Sequence, residues 1–119
     1  MNIRNIDTYV SQIWDWSFLN DCFKQTKIRV TDIDGMVERD GHFLMIETKM
    51  PDEPIPLGQD IMFEHFVSSG QNQVLIIWGY RNNPVQAQFW GKNPFAVNEK
   101  GIKAIVARWF EYADTHGRG

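Results

Sequence analysis

Apolar residues recur along this chain with different periods, and each period assigns an element. Ile6, Tyr9, Val10, Ile13, Trp14 and Phe18 fall at helical spacing, which predicts a first helix capped by Asp7 and running to about Phe23. "IRVTDIDGMVER" and "HFLMIETKM" are β-rich runs on either side of Asp40-Gly41, a dipeptide that suits a two-residue hairpin turn. "PDEPIPLG" is a loop, because its prolines exclude a regular element. A second helix is expected over Gly58 to Val67, ended by the turn residues of "SSGQN". "QVLIIWGY" is a continuous apolar run, as in a strand covered on both faces, whereas "VQAQFW", beyond the turn "RNNP", alternates like a more exposed strand. Ile102, Ile105, Val106, Trp109, Phe110 and Ala113 then mark one face of a final helix, and "HGRG" reads as a frayed tail.

The predicted order is helix, hairpin, helix, strand, strand, helix. That order specifies an α/β fold in which helices flank a small mixed β-sheet. A chain of 119 residues suffices for one domain, residues 1–119, with its own core. Cys22 is the lone cysteine, which excludes a disulfide framework and a cysteine-based zinc site and fits a reducing, cytoplasmic setting. No run approaches the length of a membrane span, and "MNIRNIDTYV" lacks the apolar stretch of a signal peptide.

The formal charge of −3 excludes a nonspecific basic coat for nucleic acid, but the charge is unevenly spread. Between Asp32 and Glu64 there are nine acids against two bases, Arg39 and Lys49; from Arg81 onward there are six bases against three acids. A cation site beside a polyanion would be distributed this way, as would ordinary solvated surface. Arg81, Lys92, Lys100 and Lys103 are the candidate phosphate contacts.

The hairpin carries the most specific chemistry. With Asp40 and Gly41 as its turn, Asp34 is expected opposite Glu47, and Asp32 opposite Lys49. Side chains alternate faces, so all four would share one surface. Facing carboxylates repel and raise each other's pKa unless a cation lies between them. Asp34 and Glu47 therefore make half a cage for a hard divalent ion such as Mg²⁺, with Mn²⁺ as a substitute, completed by waters and phosphate oxygens. Lys49, one pleat from Glu47, would orient the attacking water or offset charge on the phosphate.

Asp34 followed by Glu47-Thr48-Lys49 on an apolar strand resembles the signature of the PD-(D/E)XK nuclease superfamily, and the element order agrees over roughly Asp7 to Ala113. Gln59 matches the glutamine found at the start of the next helix in several branches, including the VRR-NUC type; the superfamily's fold is also that of Holliday-junction resolvases. The resemblance implies a restriction-endonuclease-like core and a Mg²⁺-dependent endonuclease acting on DNA, RNA not being excluded. By the same resemblance Asp34 and Glu47 bind metal, Lys49 is catalytic and Gln59 assists. Ile33 stands where many relatives carry a proline before the aspartate, and neither Asp15 nor Asp21 clearly matches the acid that some relatives carry on the first helix.

The remaining residues are assigned ordinary roles: His42 on the hairpin surface, His65 on a polar helix face, His116 in the tail, and the five tryptophans in the core rather than in a base-stacking platform. The apolar surplus on the last helix and on "VQAQFW" would permit a homodimer. The alternative to catalysis is a nucleic-acid mimic, inhibitor or assembly protein on the same fold, which would need no Lys49.

Overall fold

In the computed structural model, which describes residues 12–117, Asp40 and Gly41 take φ of 51° and 85° and close a two-residue turn. The turn joins β1 (Gly35–Arg39) to β2 (His42–Lys49), paired antiparallel from Gly35↔Ile46 to Arg39↔His42, in the predicted register. β3 (Asn72–Tyr80) pairs parallel with β2, β4 (Asn83–Phe89) antiparallel with β3, and β5 (Phe95–Ala96) antiparallel with β4. The result is an α/β fold around a mixed five-stranded sheet, with strands ordered as they occur in the chain.

Two helices cover the sheet. α1 (Leu57–Ser68) buries Phe63 against Met45, Val74, Ile76 and Trp78, with Met62, Phe66 and Val67 alongside. α2 (Glu99–His116) buries Trp109 and Ala113 against Leu44, Leu75 and Ala87, with Ile102, Ile105 and Val106 alongside. β3 therefore alternates between two covered faces, which is why "QVLIIWGY" is apolar throughout. Phe110, expected on the buried face of α2, is 47 % exposed, and the Arg39 guanidinium lies over its ring, 5.8 Å from the centroid. Asp114, one turn further along α2, accepts from Arg39 Nε at 2.7 Å and joins the hairpin tip to the helix.

Two expected histidine placements change. His42 is buried, its Nε2 lying 2.6 Å from the Gly117 carbonyl and its ring meeting Tyr112 edge-on. His116 is the last residue of α2, not tail, and its ring stacks on Tyr112 at 3.7 Å. The contact of His42 with Tyr112 ties the helix terminus to β2, a tertiary arrangement that no periodicity reports, whereas His116 and Tyr112 stack one turn apart on the same helix. His65 is exposed on α1, as expected.

The chain divides at Asp32–Ile33 into two compact units, and the sheet with both α-helices belongs to the second. In the first, the expected α-helix is where described a 3₁₀ helix, Trp16–Phe23, capped by Asp15, whose Oδ1 accepts from Ser17 N at 3.0 Å. Asp and Ser side chains compete in this way with helical backbone bonds, which starts the helix at Asp15. Asp7 and the apolar positions from Ile6 to Val10 lie outside the described residues. Trp14 and Trp16 pack with ring centroids 5.4 Å apart, and Trp16 and Phe18 at 6.5 Å. No helix among the described residues is long and apolar enough to cross a membrane.

Candidate active site

The alternation of β2 sets the site. Met45 points into the α1 side of the core, so Glu47 and Lys49 follow it onto the same side, where each is only 7 % exposed. They lie at the carboxyl end of β2, which pairs parallel with β3 through Glu47↔Ile76 and Lys49↔Trp78. α1 begins above this end of the sheet, the position at which open α/β sheets place their ligand sites. Gln59, in its first turn, donates Nε2–H to Glu47 Oε1 at 3.2 Å.

Five influences act on Glu47. Burial raises its carboxyl above the usual glutamate range, and the negative charge of Asp34 raises it further. The hydrogen bond from Gln59 and the nearby Lys49 ammonium oppose this, and Glu53 adds a smaller upward push. Glu47 is thus a buried carboxylate beside another acid with too little positive charge to balance it.

Asp34 reaches this end of β2 by a different geometry from the expected cross-strand pair. The ladder stops at Gly35↔Ile46, so the pairings of Asp34 with Glu47 and of Asp32 with Lys49 lie outside it. The chain bends at Asp34, and its Oδ2 accepts from Thr48 N at 2.8 Å and from Thr48 Oγ1 at 3.0 Å. The side chain thereby supplies the acceptor that a backbone carbonyl would otherwise offer, and its charge still acts on Glu47.

Lys49 has one ion-pair partner among the described residues, Glu53, at 3.6 Å. Sequence reasoning missed Glu53, which sits in the proline-rich loop where no periodicity operates. A turn positions it: Asp52 has φ of 65°, Glu53 N donates to Met50 O at 3.1 Å, Glu53 Oε1 accepts from Met50 N at 3.0 Å, and Trp78 Nε1 donates to Glu53 O at 2.7 Å. Lys49 is thus a buried ammonium held by an acid that is itself half-exposed.

The expected phosphate contacts separate. Arg81 lines an open cleft of about 430 Å³ together with Lys49 and Glu53, and Lys103 lines an adjoining one of about 390 Å³ that shares Thr48 and Asn82 with it. Lys92, in the β4–β5 turn, and Lys100, in the first turn of α2, are exposed and line neither. Trp78 and Trp109 are core residues, as expected, and Trp90 is half-buried, whereas Trp14 and Trp16 are exposed and lie outside the core.

No family model, curated protein or solved structure matches this chain. The chemistry of these side chains is therefore what speaks to function.

The residues suit a hard divalent ion. Asp34 and Glu47 present carboxylate oxygens whose mutual repulsion a cation would relieve, and Gln59 Oε1 is buried without a hydrogen-bond partner among the described residues, an acceptor available to a water hydrogen. No group of three or more His, Cys, Asp or Glu gathers in a metal-binding arrangement among the described residues, so a complete protein cage is absent there. One or two carboxylates with waters and phosphate oxygens is the coordination Mg²⁺ commonly takes.

Proposed function

We propose that this protein is a Mg²⁺-dependent endonuclease of PD-(D/E)XK type that hydrolyses phosphodiester bonds in DNA. The observation that carries the reading is the convergence of Glu47, Lys49 and Gln59 at one end of β2, with Asp34 anchored to Thr48 beside them. Asp34 and Glu47 would hold the cation, which when bound supplies Lewis-acid polarisation of the phosphate and favours ionisation of the attacking water.

The chain's own groups have distinct tasks. Gln59 donates to one oxygen of Glu47, which would leave the other for the cation. Asp34 is fixed through two hydrogen bonds to one residue of the strand that carries Glu47 and Lys49. Lys49, sheltered from water, presents a positive charge whose attraction for the pentavalent phosphate grows as negative charge accumulates there. In the reaction a water oxygen bonds to phosphorus, the bond to one ester oxygen breaks, and the leaving oxygen takes up a proton. Arg81 and Lys103 would contact phosphates on either side of Thr48.

The test is cleavage of labelled single-stranded, branched and duplex DNA, with RNA as a further arm, in Mg²⁺ or Mn²⁺. Cutting that Glu47→Gln abolishes supports the reading. No cutting of any substrate at any metal concentration overturns it.

A further inference from the structure

Tyr80 has no place in the chemistry described so far. It ends β3, is 59 % exposed, and its side chain has neither an aromatic partner nor a hydrogen bond among the described residues. A single exposed aromatic is ordinary on a protein surface. This one lines the same cleft as Lys49, and the next residue is Arg81.

Its support is unusually stiff. β3 and β4 shift register between Trp78 and Gly79, a bulge of the kind that re-aims side chains at sheet ends. Gly79 permits it, because a Cβ there would collide with the Asn83 carbonyl and come within 2.8 Å of Pro84 Cα. Arg81 and Asn82 alone connect Tyr80 to its partner Asn83, and Asn82 takes φ of 55°. The ring is therefore carried on a strand end and a two-residue turn, with little backbone freedom to lose when something packs on it.

We propose that Tyr80 is a specificity-determining residue that stacks on an unpaired base of the nucleic acid whose backbone crosses the cleft. The inference rests on the nuclease reading for its substrate and refines it: the preferred substrate has an unstacked base beside the scissile phosphate. In an intact duplex both faces of each internal base are covered by its neighbours, so a ring approaching from one side has no face to meet. In a single strand every base offers one, and base–aromatic stacking is indifferent to sequence. Arg81, adjoining the ring, would then neutralise the phosphate of the stacked nucleotide.

The experiment is binding in Ca²⁺, without cleavage, of a short DNA strand carrying the fluorescent base 2-aminopurine, as a single strand and annealed to its complement. The expected result is that the single strand binds with quenched fluorescence, that Tyr80→Ala abolishes the quenching and weakens binding about tenfold, and that Tyr80→Phe retains both. Duplex binding should be unchanged by either substitution. Equal quenching by Tyr80→Ala, an equal loss on the duplex, or no binding of any oligonucleotide overturns the inference. Cleavage is scored separately. Tyr80-dependent quenching without cutting leaves stacking in place and removes the nuclease reading; Lys49-dependent cutting indifferent to Tyr80 does the reverse.

Discussion

The Gln59 amide nitrogen donates to Glu47 at 3.2 Å between the first turn of α1 and the end of β2, and the amide oxygen of Gln59 is buried with no partner among the described residues. An amide that satisfies one neighbour and leaves an acceptor open suits a residue that positions a ligand set. Gln59→Ala should weaken Mn²⁺ binding about tenfold, the usual scale for groups that orient metal ligands. Calorimetric titration measures this, and circular dichroism should show the fold intact.

Glu47 predicts a pH dependence of stability. Its carboxyl is raised in the folded state, so the fold binds that proton more tightly than the unfolded chain does. The associated stability is fully present below the ordinary glutamate pKa and is lost as pH rises through the raised value. In metal-free protein, Glu47→Gln should therefore raise Tm at neutral pH, with the gain shrinking toward acid pH. Thermal melts across that range decide it, and a Tm difference independent of pH would contradict the assignment.

Asp34 combines a charge with two hydrogen bonds, and two substitutions separate them. Asp34→Asn keeps an acceptor oxygen for Thr48, so the fold should hold while Mn²⁺ affinity falls. Asp34→Ala removes the acceptor as well and should cost about 1 to 2 kcal/mol in chemical denaturation. Should Asp34→Asn bind Mn²⁺ unchanged, the residue is structural.

Lys49 is buried along its stem, so truncation would mix packing loss with charge loss. Lys49→Met keeps the stem and discards the ammonium, and Glu53, half-exposed, can turn to water. Cleavage should fall about a thousandfold, with DNA binding in Ca²⁺ little changed, because an interaction made mainly in the transition state acts on rate. Arg39→Ala, at the hairpin tip with Asp114 and Phe110, is the control and should cleave normally below its melting temperature.

What could be read from the sequence follows the range of the forces involved. The Asp40-Gly41 turn, the register from Gly35 to Arg39, β3 and the buried face of α2 except at Phe110 are local or periodic, and all were legible. So was the placement of Glu47 and Lys49 on one face, which follows from alternation alone. The two-residue strand β5 is too short for any period to reveal. β1 begins at Gly35, several residues later than its β-rich run suggested, because the chain bends at Asp34. The bonds of Asp34 to Thr48, the turn that brings Glu53 to Lys49 and the burial of His42 under Tyr112 depend on tertiary neighbours, which one-dimensional patterning does not carry.

The sequential strand order has a kinetic consequence. Two-residue turns close β1–β2 and β3–β4, and a short connection from Trp90 to Pro94 closes β4–β5, so these pairings form between chain neighbours at small entropic cost. β2 and β3 must instead find each other across the whole stretch from Met50 to Gln71, with α1 in between. Parallel pairing across such a span is the slow event in a fold otherwise rich in local contacts. Removing side chain from Phe63, which sits where α1 meets both strands, should therefore slow folding more than it speeds unfolding.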